Sequence, residues 1–228
     1  MSPYEKAWQA VQARIAAAAA ASGRDPHLIR LLAVTKSWPT EAVRTAYDAG
    51  QRAFGENYVQ EAATKIGALA GLRDIEWHLI GPLQGNKAKI AAAQFAWVET
   101  VDRLTIAERL SAARNERLPP LCVCIQVNIS GEASKSGVGP DGALQLAHAV
   151  SRLPRLALRG FMGIAAPTAD SDAQRGQFRK LKAIYDRGRM EGLVLDTLSM
   201  GMSADLEAAI AEGATLVRVG SALFGPRS

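Results

Sequence analysis

The chain has 228 residues, 48% of them hydrophobic and 21% charged, and 27 Lys and Arg against 22 Asp and Glu leave a formal charge of +5. That composition excludes a disordered or fibrous chain and supplies apolar material for one sizeable core. The positive balance suits a phosphate, nucleic-acid or anionic-membrane partner, yet Arg14, Arg24, Arg30, Lys65, Arg109, Arg114, Arg179, Lys180 and Lys182 are scattered and read as solvated helix faces. With no aromatic interleaving or groove-reading motif, no specific nucleic-acid partner is expected.

From the amino terminus, Trp8, Val11 and Ile15 fall at helical spacing and run into alanines 16–21 before Ser22, Gly23 and Pro26 stop the pattern. This predicts a helix ahead of the first strand. The alanine run is too short and too weakly apolar for a membrane span, no secretory signal pattern opens the chain, and a cytoplasmic location with no membrane partner is expected. Apolar, β-branched runs of strand length then recur at 31–35, 52–55, 75–80, 95–100, 121–127, 156–164, 195–199 and 215–219. Helical patterns at 40–49, 59–69, 103–114, 143–153, 173–190 and 204–211 alternate with them. Such alternation predicts parallel βα units, and eight in this length predict an α/β fold, one domain over 1–228, as a (β/α)8 TIM barrel with an additional N-terminal helix.

Cys122 and Cys124 lie two apart on the fifth strand, facing one side and too close for a relaxed disulfide, so they read as buried, reduced thiols. The histidines, His27, His78 and His148, have no metal-ligand spacing, and no metal is expected. The longest turn-rich stretch, 130–140, follows the fifth strand and fits either a cover over the binding face or a plain surface loop.

Lys36 stands at the carboxyl end of the first strand, where barrel strands deliver side chains into the binding mouth. An amine there condenses with an aldehyde when deprotonated, which a desolvated pocket or a neighbouring cation favours; taken alone, such a position more often holds a solvated strand-end lysine. Ser199-Met200-Gly201-Met202-Ser203 follows the seventh strand and Gly220-Ser221 the eighth, the two loops with which barrels often hold phosphate. Ser203 is placed to N-cap the helix beginning near Ala204, with or without a ligand. Gly220 lets backbone amides approach an anion, and Ser221 opens a short segment through Phe224 that presents a helix N-terminus. Arg218, between Val217 and Val219, points opposite to them and so toward the barrel axis, where either a structural ion pair or an unprotonated pyridine nitrogen answers it. Glu56, Glu99 and Asp102 suit acid–base chemistry but stand alone at strand ends, and no catalytic residue is assigned.

Several segments together resemble the pyridoxal-phosphate homeostasis proteins, the YggS/PROSC family of barrels related to the N-terminal domain of alanine racemase. They are Ala33-Val34-Thr35-Lys36, Phe54-Gly55-Glu56-Asn57-Tyr58-Val59-Gln60-Glu61, Trp77-His78-Leu79-Ile80-Gly81-Pro82-Leu83-Gln84-Gly85-Asn86-Lys87 and Gln126-Val127-Asn128. The likeness continues in Gly131-Glu132-Ala133-Ser134-Lys135-Ser136-Gly137, Leu198-Ser199-Met200-Gly201-Met202-Ser203-Ala204-Asp205 and Val217-Arg218-Val219-Gly220-Ser221-Ala222-Leu223-Phe224-Gly225. The resemblance implies pyridoxal 5′-phosphate (PLP) as an internal aldimine on Lys36, with phosphate held around Ser203, Gly220 and Ser221 in the loops that also carry Ser199 and Met202. It implies Arg218 at the pyridine nitrogen and Asn57 near the cofactor. It further implies a role in cofactor homeostasis without an established reaction; a monomer with PLP and apo-PLP enzymes as partners is the expectation.

Three segments depart from the family pattern. Ser37-Trp38-Pro39 stands where threonine-lysine-proline is usual, Ser221 replaces a common threonine but keeps its hydroxyl, and Val98-Glu99-Thr100-Val101-Asp102 replaces a histidine-serine-containing block. An arginine keeps the pyridine nitrogen unprotonated and the ring a poorer electron sink. Related racemases work with such an arginine, but a second, β-rich domain supplies them with a tyrosine, whereas this sequence ends three residues beyond Gly225. A carrier or buffer of the cofactor is the expectation, with a small PLP-dependent amino-acid racemase as the alternative.

Overall fold

The structure, a computed structural model, describes residues 2–132 and 136–226. The leading helix α1 (Pro3–Ala21) starts in a capping box: the Ser2 hydroxyl accepts from the Glu5 amide, the Glu5 carboxylate accepts from the Ser2 amide, and Pro3 takes the first helical position. Strands β1 (Arg30–Val34), β2 (Ala53–Glu56), β3 (Glu76–Leu79), β4 (Trp97–Val101), β5 (Leu121–Val127), β6 (Leu156–Gly163), β7 (Thr197–Ser199) and β8 (Leu216–Val219) follow in order. All neighbours pair in parallel, and β8 returns to β1 with Leu31 opposite Val217 and Ala33 opposite Val219, closing the barrel. The expected barrel and its extra helix are both present.

Between the strands run α2 (Thr40–Asp48), α3 (Val59–Ala68), α4 (Ala88–Gln94), α5 (Leu104–Ala113), α6 (Pro140–Val150), α7 (Ser171–Met190) and α8 (Leu206–Ala211), with α9 (Ser221–Phe224) after β8. Helix α4 is absent from the helical patterns read in the sequence. It is short, has no side-chain cap and follows a 3-10 turn at Gly85–Lys87, so neither a start signal nor a long period marks it.

Alternation along each strand divides the core in two. Outward-facing side chains such as Ala33, Phe54, Phe161 and Val217 pack with Phe178, Leu110 and the other inner faces of the helices in one continuous layer. Inside the barrel, two small apolar groups remain: Leu32, Ala53 and Leu216 on one side, Trp97, Cys124 and Met162 on the other. Both thiols are free, as expected, but only Cys124 is buried; Cys122 is half-buried.

Two basic residues read as solvated are buried. Lys65 on α3 is 4% exposed and Arg114, just after α5, is 5% exposed. Arg114 is spent on the carbonyls of Ala92, Phe95 and Pro119, which caps the end of α4 and fixes the approach to β5. Arg30 is also not on a helix; it opens β1 and pairs with Glu76. Among the described residues no helix is long and apolar enough to cross a membrane. In the 130–140 segment, residues 133–135, on which closure over the mouth depends, lie outside the described residues; its later part bonds back to β5 through the Asn128 and Val138 amides.

Candidate functional site

At the carboxyl ends of the strands lies a cavity of about 300 Å3 lined by Lys36, Asn57, Met202, Ser203, Arg218, Gly220 and Ser221, with Val34, Ile80 and Ile164 as its apolar walls. The structure thus gathers seven of the eight expected binding residues from the ends of β1, β2, β7 and β8. The eighth, Ser199, is fully buried behind Arg218. An annex of about 230 Å3 shares Asn57, Ile80 and Ile164 and extends to Gln126, Asn128 and Ser136. A larger groove of about 550 Å3 lies outside the mouth between the start of α1, Trp38 and α9, but no charged side chain is among the described residues that line it, which does not suit a phosphate.

Lys36 leaves β1 in a tight turn that the Trp38 amide closes onto the Thr35 carbonyl at 3.0 Å, with Ser37 at φ +64°. The positive φ at Ser37 suits the third position of a type II turn, where a glycine is usual and a serine is strained. The strain is held from behind. Lys65 Nζ donates to the Thr35 carbonyl at 2.7 Å, to Glu56 Oε1 at 2.8 Å and to Glu61 Oε1 at 2.7 Å. Glu61 Oε1 in turn accepts from the Ser37 amide at 2.7 Å, and the Thr35 hydroxyl donates to Glu56 at 2.6 Å. Burial raises the Glu56 carboxyl, working against the bonds from Lys65 and Thr35.

Arg218 faces the barrel axis as its alternation with Val217 and Val219 predicts, and it is 4% exposed. Its Nη1 donates to the Ser199 hydroxyl at 2.7 Å and its Nη2 to the Gly163 carbonyl at 2.9 Å. Those bonds fix the plane of the guanidinium against the floor of the cavity. Burial lowers its pKa, while Glu99 and Asp205 oppose the shift.

The two phosphate-type loops are joined to each other. Ser203 Oγ accepts from the Ala222 amide at 3.3 Å, bridging the loop after β7 to α9, and its carbonyl accepts from Arg14 of α1 at 2.9 Å. Ser203 is therefore not a helix cap. Helix α8 begins two residues later than expected, with Asp205 at its N-cap position and the Asp205 carboxylate accepting from the Met202 amide at 2.5 Å. A Cβ at Gly81 would sit 2.2 Å from the Asn57 carbonyl, so only glycine lets the end of β3 close against the backbone that presents Asn57.

Sequence reasoning missed Lys65 and Glu61 behind the lysine turn, and His78 and Glu99 beneath the arginine. Lys65 was nonetheless marked: with Val59 and Ala62 it forms the buried stripe of α3. His78 and Glu99 alternate with buried apolar neighbours and so had to point into the barrel.

One primary amine, one buried guanidinium and two hydroxyls, with no carboxylate among the described lining residues, suit an anionic carbonyl compound. Residues 8–228 match the family model of the alanine racemase N-terminal domain. A Pseudomonas aeruginosa relative named pyridoxal phosphate homeostasis protein is 57% identical over 95% of this chain and 93% of its own length. The Escherichia coli K12 protein of the same name is 50% identical over 95% of this chain and 94% of its own. The structure of PipY from Synechococcus elongatus with PLP bound superposes at a TM-score of 0.81, with 38% identity, covering 92% of this chain and all, 100%, of that one. The chain belongs to the pyridoxal phosphate homeostasis proteins, whose barrel is that of the alanine racemase N-terminal domain.

Proposed function

We propose that this chain binds PLP at the barrel mouth as a Schiff base on Lys36 and serves as a monomeric, cytoplasmic carrier or buffer that delivers the cofactor to apo-PLP enzymes. The observation that carries this reading is the meeting of Lys36, Arg218, Ser203, Gly220 and Ser221 around one cavity of about 300 Å3. When bound, the cofactor supplies an aldehyde that condenses reversibly with a primary amine.

The chain's own residues do the rest. Lys36 holds the group covalently, Ser203, Ser221 and the Gly220 backbone receive the phosphate, and Arg218 donates to the ring nitrogen from a guanidinium that keeps its own protons. Asn57 and Ile80 line the cavity beside Lys36, and Met202, 37% exposed, lines it as well.

A racemase needs a second acid–base group facing the lysine. No tyrosine, histidine, cysteine or carboxylate is among the described residues that line the cavity, which supports holding over turnover. Two reduced thiols fit a cytoplasmic setting. Of the large exposed apolar side chains, Leu28, Tyr58, Ile90, Leu104 and Leu118 fall on separate segments and Met190 and Val194 fall at and just beyond the end of α7, a spread that favours a monomer.

Borohydride reduction of the PLP-loaded protein followed by peptide mass mapping tests the attachment. A reduced adduct on Lys36, absent from Lys36→Ala, is the expected result; an adduct on another lysine, or a visible cofactor band unchanged in Lys36→Ala, refutes it. Transfer to an apo-PLP enzyme, read as recovered activity of the recipient, tests delivery.

A further inference from the structure

The barrel interior is crossed by a file of polar side chains that the holding of a cofactor at the mouth does not by itself require. From the cavity floor, Arg218 donates to Ser199, and Ser199 Oγ donates to Glu99 Oε2 at 2.5 Å. Glu99 Oε1 meets His78 Nδ1 at 2.6 Å, and His78 Nε2 meets Glu76 Oε1 at 2.8 Å. Glu76 pairs with Arg30 at the amino-terminal end of the barrel, where it is one-third exposed. His78 and Glu99 are wholly buried, and the Trp97 ring lies on the imidazole at 5.0 Å between centroids and 5° between planes.

Signs alternate along this file. Burial alone works against a charged His78, yet the carboxylates bonded to both ring nitrogens outweigh it and raise the imidazole above its ordinary value. Burial likewise pushes Glu99 up, and its bonds to His78 and Ser199 with the nearby Arg218 charge bring it below the usual range. A carboxylate at each of its two ring nitrogens favours the imidazolium form of His78. Of the other titratable groups around the file, burial raises both Cys122 and Cys124 and keeps them neutral, Arg159 and Asp196 pair with each other, and Asp205 faces Arg218 from the β7 loop.

We propose that Glu99 and His78 are positioning residues for the bound cofactor: acting through Ser199 and Arg218, they set the electrostatic potential at the ring and at the nitrogen that joins it to Lys36. The proposal rests on the reading that Lys36 carries PLP above Arg218. The orientation is one-way. The Ser199 hydroxyl gives its proton to Glu99 and therefore accepts from Arg218, so the guanidinium is held as a donor on both sides. The charge on Glu99 offsets that of Arg218, and the charge on His78 offsets that of Glu99.

Removing either charge must then move the proton affinity of the linking nitrogen, in opposite directions. Glu99→Gln leaves the surroundings more positive and lowers the pH at which that nitrogen deprotonates; His78→Gln leaves Glu99 uncompensated and raises it. A unit charge about 10 Å away in an effective dielectric of ~20 gives a shift of roughly one pH unit. The experiment loads wild type and both variants with PLP and follows the visible cofactor band against pH. Opposed shifts are the expected result; shifts of the same sign, or a band that titrates as in wild type, overturn the proposal while leaving the Lys36 reading intact. A wild type with no visible band overturns the Lys36 reading and this proposal with it. Should a charge variant fail to fold, the ring-nitrogen resonances of His78 in the wild type decide: they move on loading with PLP if the file is coupled to the cofactor, and unmoved resonances overturn the coupling.

Discussion

Lys65 Nζ donates to the Thr35 carbonyl at 2.7 Å, so the peptide that leads into Lys36 is gripped from the helix side of the sheet by a second, buried lysine. That amine also neutralises Glu56, whose carboxylate is fully buried. Lys65→Met removes the grip and strands Glu56 without its cation, at a cost of about 3–5 kcal/mol. Pairing it with Glu56→Leu removes the stranded charge as well and recovers a large share of the loss. Chemical denaturation of both variants measures this; a double variant no more stable than Lys65→Met contradicts the ion-pair account.

Ser37 supplies a second, separable test. At φ +64° a β-branched side chain is strained, and Ser37→Val is expected to destabilise the chain by about 1–2 kcal/mol. Ser37→Gly removes the strain but adds unfolded-state entropy, so its stability stays within about 1 kcal/mol of wild type. Both variants retain the Lys65 and Glu61 contacts to the backbone, so unfolding midpoints read the dihedral alone. A valine variant as stable as the glycine one means that the turn has relaxed.

The polar file also predicts a stability maximum in mildly acidic solution. Burial opposes ionisation of Glu76, but its bonds to His78 and Arg30 bring it from 4.5 down to about 2, so its contribution is present above 4.5 and is lost as the pH falls toward 2. Glu99, lowered by its own partners, acts in the same sense. His78 is raised above 6.5, so its contribution is present below 6.5 and is lost as the pH rises through its folded-state value. The file therefore contributes most between 4.5 and 6.5. Unfolding free energies across pH are expected to show a shallower acid limb in Glu76→Gln and a shallower alkaline limb in His78→Gln; limbs unchanged in both variants exclude this assignment.

Strand ends, alternation and loop position made the floor and rim of the site legible in the sequence. Lys36 follows a buried run, Arg218 lies between two outward valines, and Ser203 and Ser221 sit on the loops where barrels gather phosphate. What lay beyond reading was pairing at long range. Ser199 meets Glu99 across 100 positions and Arg218 meets the Gly163 carbonyl across 55, distances that no local period encodes. Ser203 has the residue type and place of a cap, but Asp205, two residues on, takes the same helix start. Lys65 carries the charge of a solvated residue but the spacing of a buried one, on the stripe of α3 with Val59 and Ala62.

The file through the barrel also bears on how the strands find one another. His78 and Glu99 belong to the first half of the chain, Ser199 and Arg218 to the second, and the two apolar groups inside the barrel are small. A folding intermediate made of β1–β4 leaves Glu99 without Ser199 and Arg218, and one made of β5–β8 leaves Ser199 and Arg218 without Glu99. Neither half is a comfortable resting place. The residues at the cavity floor thereby penalise open half-barrels and misaligned closures, and that floor becomes complete only when the ring of strands does.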